Sequence, residues 1–117
     1  MGPGDETVRT IGELLADECT LTILRETITE PMAADELSDV CEVSPQTVYR
    51  RLEALVEHDL VEKDLQLDAD GHHYNVYTAT LDRIVVDLTT DGFELRVSRR
   101  NRMADRFTTF VDEVRDR

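Results

Sequence analysis

The stretch that most limits what this chain can become is 44–57, SPQTVYRRLEALVE. Serine followed by proline is a strong helix start. The Ser44 hydroxyl can accept from an otherwise unpaired first-turn amide. Pro45, at the first helical position, lacks only an N–H that would have had no partner. From there Val48, Leu52, Leu55 and Val56 recur at helical spacing and make one apolar stripe. The other face carries Gln46, Thr47, Tyr49 and Arg50, with Arg51 at its edge, and no acid lies between Glu42 and Glu53. Just upstream, residues 34–41 read as a shorter helix with Leu37 and Val40 inward and Asp35, Glu36 and Asp39 outward. The spacing therefore predicts two short helices across a tight turn, the second with a basic, polar outer face.

That basic face matters because the chain as a whole is acidic. It holds 26 acids against 13 bases, a formal net charge of -13, and Lys63 is its only lysine. An acidic, lysine-poor surface is the composition of proteins from very salty cytoplasm, where it keeps the chain soluble. Such a charge opposes nucleic acid under ordinary conditions, since affinity comes mostly from cations meeting phosphates. At about 1 M salt, however, the Debye length is only about 3 Å, so the charge at the contact itself decides. The two cysteines, Cys19 and Cys41, are too few for a disulfide framework and favour a cytoplasmic chain. Both fall in expected helices as small buried hydrophobes. No apolar run is long enough to span a membrane, and the first residues, MGPGDETVRT, lack the features of a signal peptide. At 117 residues one domain is expected.

Taken in order, residues 1–7 read as a flexible tail. Val8, Ile11, Leu14 and Leu15 make an amphipathic helix. Asp17 can cap a second one, carrying Leu21, Leu24 and Ile28 inward with Ile23 as a further apolar residue. Arg25 on it is a phosphate contact or a solvated surface arginine. Proline at 31 ends that helix. After residue 57, 60–67 alternates as a strand, Asp68-Ala69-Asp70-Gly71 turns, and 72–80 returns. Residues 81–88 and 93–97 read as another hairpin, within a region 81–98. Residues 99–117 read as a C-terminal helix with Met103, Phe107, Phe110, Val111 and Val114 on one face. Arg96, Arg99, Arg100, Arg102 and Arg106 make the most basic stretch, either a second DNA-backbone contact or a set of intersubunit salt bridges.

Leu37, Ser38, Val43, Ser44, Thr47, Val48, Leu52 and the closing Asp59-Leu60-Val61 carry a resemblance. Over about residues 11–80 the chain resembles the winged helix-turn-helix transcription regulators, most nearly the ArsR-like group, of the halophilic archaeal type. The resemblance implies an α+β fold, mainly α. Its DNA-binding domain would be 8–80, with an additional β-hairpin and a C-terminal dimerisation helix. It implies that Val43, Val48 and Leu52 are core and that Gln46, Thr47, Tyr49 and Arg50 face the major groove. Ser44, Tyr49 and Arg51 are the candidates for phosphates. Lys63, His72 and His73 on the wing are candidates for the minor groove or backbone, the histidines equally for exposed turn positions. The partners implied are double-stranded DNA and a second copy of the chain, joined through Met103, Phe107, Phe110, Val111 and Val114. For those five, packing on the first helix is the alternative. No membrane partner is expected, and a small-molecule effector is left open. Where the family often has glycine, in the turn and after the second helix, this chain has Glu42 and Asp59. Because Glu tolerates left-handed backbone poorly, the first turn is expected to be built differently.

Catalytic chemistry has no convergent set of groups here, and no P-loop, HExxH or nucleophile elbow occurs, so no enzyme is expected. No cofactor and no metal are expected either. ArsR-like metal sensors often carry Cys-x-Cys in the third helix, where ELSDVCEV supplies only Cys41. Adjacent strand residues such as His72 and His73 point to opposite faces, which disfavours a shared ion. Two rival readings remain. One is a winged helix whose acidic surface contacts a basic protein. The other is a switch holding a small ligand between the extra hairpin and the C-terminal helix.

Overall fold

The computed structural model describes residues 2–100. Four helices come first: α1 Asp5–Leu15, α2 Glu18–Thr27, α3 Ala34–Cys41 and α4 Pro45–Glu57. Four strands follow, β1 Val61–Leu67, β2 His73–Ala79, β3 Leu81–Thr89 and β4 Gly92–Arg99. They pair as two separate antiparallel hairpins. β1–β2 runs in register from Val61 opposite Ala79 to Leu67 opposite His73. β3–β4 runs from Leu81 opposite Arg99 to Thr89 opposite Gly92, with an irregularity between Leu81 and Arg83. The segment joining α2 to α3 adds one rung to β2. There Met32 and Tyr77 exchange backbone hydrogen bonds of 3.0 and 2.8 Å. This is a winged helix-turn-helix with one extra hairpin. The C-terminal helix and its five apolar residues lie outside the described residues.

The core forms where the helices meet the base of the first hairpin. Ile23, Leu37, Val48, Leu52, Leu55 and Leu60 are all buried to within 1%. Burying each side chain of this size contributes roughly 1.5–3 kcal/mol. In α4 the expected stripe is present, Val48, Leu52 and Leu55 turned inward with Val56 half-buried beside them. In α2 only Leu24 of the expected face packs against the core. Ile23 is fully buried together with Cys19, Thr20 and Thr27, while Leu21 and Ile28 are 41% and 45% exposed. A threonine can be buried there because the Thr27 hydroxyl donates to the Ile23 carbonyl at 2.7 Å. In α3, Ala34 and Leu37 are buried and Cys41 half-buried; these recur at helical spacing, whereas Val40 stands off their line and is 44% exposed.

The first residues also differ from a free tail. α1 begins at Asp5 because the extra hairpin holds the chain ahead of it, the Phe93 N–H donating to the Pro3 carbonyl at 2.9 Å. Gly4 has φ +81 and sits against the Phe93 carbonyl, where a Cβ would collide. Ile84, Leu95 and Val97 of that hairpin pack onto the core, so it lies along the helical body rather than widening the wing sheet. The wing itself is supported only at its root. Val61, Val76, Tyr77, Thr78 and Ala79 are buried, but Leu65 and Leu67 are 62% and 61% exposed. The half-buried strand expected for β1 is thus buried only where the helices reach it.

Candidate nucleic-acid interface

α4 is positioned at both ends by local chemistry. At its start the Ser44 hydroxyl accepts from the Thr47 N–H at 3.3 Å and lies 3.1 Å from the Thr47 hydroxyl. Such a cap contributes about 1 kcal/mol. Both flanking turns use left-handed backbone, Glu42 at φ 57 and Asp59 at φ 59. The turn before α4 therefore has the conformation that glycine would give, built instead with a glutamate. Its hydrogen bonds explain how. The Val43 N–H donates to the Ser38 carbonyl at 3.3 Å, and the Ser38 hydroxyl donates to the Val43 carbonyl at 2.6 Å. After α4, the Leu60 N–H donates to the Leu55 carbonyl at 2.8 Å and turns the chain into β1.

With its inner face anchored, α4 presents Gln46, Tyr49 and Arg50 outward, all exposed, with Thr47 half-buried at their side. Arg50 makes no ion pair or side-chain hydrogen bond with the described residues. Arg51 has a different fate. Its Nε lies 2.9 Å from Asp17 Oδ2, and the two side chains are about a third exposed. The same carboxylate caps α2 by accepting from the Thr20 N–H at 2.8 Å. Burial works to raise the Asp17 pKa, but the Arg51 hydrogen bond and the Thr20 N–H outweigh it and hold the carboxyl below its ordinary value. The hydrogen bond to Asp17 likewise raises Arg51. Arg51 thus ties α4 to the start of α2, where the sequence made it a phosphate contact. Ser44, in turn, has its hydroxyl engaged by the cap.

The wing brings only some of its expected residues together. Lys63 stands opposite Tyr77 and Leu67 opposite His73, which puts Lys63, Leu65, Leu67 and His73 on one face of the hairpin. Lys63 and His73 are exposed. His72 belongs to the turn. Its Nδ1 is 3.5 Å from Asp68 Oδ2, and Asp68 Oδ1 accepts from the N–H groups of both Asp70 and His72 at 2.9 Å. Asp68, Asp70 and His72 bring possible metal-ligand atoms within 4.8 Å of one another, all at exposed positions. The sequence reading weighed His72 only with His73, against a shared ion, and did not consider the two aspartates of the turn. The turn's own hydrogen bonds account for this cluster.

Three arginines at the end of the second hairpin are ion-paired within the chain. Arg96 lies 2.9 Å from Asp87, Arg100 lies 3.2 Å from Asp82, and Arg99 lies 3.9 Å from Asp59. Arg102 and Arg106 lie outside the described residues. Arg25 is exposed and reaches only Thr22, at 3.4 Å. The Cys41 thiol donates to the Cys19 carbonyl at 3.8 Å, and burial together with the neighbouring Cys19 pushes its pKa up to about 12. Such a thiol is a poor nucleophile and a poor metal ligand near neutral pH.

Residues 15–64 match a family model described as a helix-turn-helix domain. The match begins at the last residue of α1, takes in α2, α3 and α4, and ends inside β1. It covers under half of the chain and leaves out β2, the extra hairpin and everything after it. No curated protein matches the chain.

Proposed function

We propose that this winged helix-turn-helix chain is a transcription regulator that binds double-stranded DNA sequence-specifically as a homodimer in high salt, with Pro45–Glu57 in the major groove. One observation carries the reading. The outer face at the start of α4 holds Gln46, Tyr49 and an unpaired Arg50, on a helix whose inner face and both ends are fixed. Preorganisation of that kind lets a short polar face read base edges without first ordering itself. Arg50 is placed for guanine O6 and N7 and Gln46 for adenine, each contact being worth roughly 1–3 kcal/mol of discrimination. Thr47 and Tyr49 are at the edge of that face, suited to phosphates, which set register.

The net charge of -13 fits this reading in concentrated salt, where distant acids act little on a docked phosphate. The dimer rests on the pattern of Met103, Phe107, Phe110, Val111 and Val114, and asks for a two-fold site with half-sites about 34–36 Å apart. No catalytic step belongs to the reading.

The test is selection of bound genomic fragments in multimolar potassium chloride, wild type beside Arg50→Ala. Enrichment of a two-fold motif by the wild type alone supports the proposal. Failure to enrich any sequence across a salt series refutes it and favours the acidic surface as a protein-binding face.

A further inference from the structure

Arg50, which the proposed function sends to DNA, also borders a cleft. The cleft lies between α1, the first turn of α2 and the flank of α4, and has a volume of about 370 Å³. Its walls carry opposite charges, Glu13 on α1 and Arg50 on α4. Glu13, like Arg50, makes no ion pair with the described residues. The Asp17–Arg51 pair between those walls is already satisfied. Leu14 and Ala54 supply apolar lining. The Thr20 side chain lies fully buried on the same lining.

These features select a ligand class. A molecule of one sign would be drawn to one wall and repelled by the other. A molecule carrying both signs a few bonds apart meets each wall with its opposite, and such short contacts survive screening by salt. The volume is near the lower end of the roughly 300–1,000 Å³ typical of small-molecule sites, which suits a single amino acid better than a nucleotide. We infer that the cleft binds an apolar α-amino acid, its carboxylate on Arg50 and its ammonium on Glu13. The side chain lies along Leu14 and Ala54. Because Arg50 cannot hold a carboxylate and a base edge together, ligand and DNA exclude one another. That consequence rests on the proposed function; the binding itself does not.

The experiment follows thermal unfolding of the full chain in multimolar potassium chloride during titration with L-leucine. Isocaproate, which lacks the amino group, and isoamylamine, which lacks the carboxylate, are run beside it. Leucine raises the midpoint saturably, and each analogue binds at least about tenfold more weakly, since each leaves one charged group of the site unpaired. Glu13→Gln, at an exposed position that leaves the fold intact, weakens leucine by a similar factor. Leucine also weakens DNA binding by the wild type and not by Glu13→Gln. No midpoint shift with leucine overturns the inference, as does isocaproate matching leucine or Glu13→Gln binding it undiminished. Leucine binding that leaves DNA affinity unchanged overturns the exclusion. A leucine shift in a protein that binds no DNA at all keeps the cleft and removes the proposed function instead.

Discussion

Helix α4 and the β1–β2 hairpin leave the same junction in opposite states. Leu52 on the helix is 1% exposed, whereas Leu65 on the hairpin is 62% exposed. The helix is packed along its whole inner face, so its outer face is held in a defined place. The hairpin is packed only at its root, and beyond Val61 and Val76 its apolar residues face solvent. Their charge differs as well. Between Ser44 and Leu52 the helix has two arginines and no acid, while the hairpin from Val61 to His73 sets Lys63 against Glu62, Asp64, Asp68 and Asp70. A surface that reads DNA needs both a fixed backbone and a favourable local charge. Of the two regions expected at the DNA, the helix has both and the wing neither.

The largest effect that tests this contrast comes from one leucine in each region. Leu52→Ala should cost about 2–5 kcal/mol, as large-to-small changes in packed cores do. Leu65→Ala should stay within about 0.5 kcal/mol, the range of surface substitutions. Urea unfolding of the two variants measures both, and equal losses would show that the wing is packed in solution. DNA affinity draws the next contrast. Arg50→Ala should weaken the preferred site by about 1–3 kcal/mol and relax its sequence preference. Lys63→Ala should change binding to all sequences slightly and alike, as a backbone contact does. Fluorescence anisotropy at several salt concentrations separates the two.

A smaller effect concerns how the ends of the two regions turn. The wing turns on Gly71 at φ +83, but the turn into α4 uses Glu42 at φ 57. Left-handed backbone costs a residue with a Cβ roughly 1–2 kcal/mol, of which glycine's greater freedom in the unfolded chain takes back about 0.4–1 kcal/mol. Glu42→Gly should therefore stabilise by a few tenths to about 1 kcal/mol, seen as a higher thermal midpoint. A loss of stability would mean that the Glu42 side chain makes a contact worth more than the strain.

The smallest effect is the pH dependence of the Asp17–Arg51 tether. The folded-state pKa of Asp17 is held below its ordinary value, so its stabilisation is present above the ordinary aspartate pKa and fades as pH falls through the folded value. Asp17→Asn keeps a good helix cap and removes only the charge. Near neutral pH the loss should be about 0.2–1 kcal/mol, as for other partly exposed ion pairs. The stability gap to wild type should close in acid below about pH 4, the ordinary range of an aspartate carboxyl. A gap that persists at the lowest pH would assign the difference to packing rather than charge.

Much of this architecture was legible from residues close together in the chain. Ser44-Pro45 marked where α4 begins, Asp17 marked the start of α2, and Asp68-Ala69-Asp70-Gly71 marked the wing turn. Caps and turns are settled within about four residues, so the sequence states them directly. The apolar stripe of α4 was equally plain because Val48, Leu52 and Leu55 leave one choice of inner face. In α2, by contrast, leucines, isoleucines and threonines are spread around the helix, and only Leu24 of the face that periodicity chose packs against the core.

What the sequence by itself determined is the order of helices and strands among the described residues, the outward set Gln46, Tyr49 and Arg50, and the acidic composition around them. Tertiary structure decided which face of α2 is buried, that residues ahead of Asp5 dock on the second hairpin, and that Glu42 turns left-handed. It also decided which of two adjacent arginines stays free. Arg51 and Asp17 are 34 positions apart, and nothing local to either announces the pair. The reason is one of range. Local hydrogen bonds are written into neighbouring residues, but a helix's rotation and a side chain's partner depend on surfaces that exist only once distant segments have packed together.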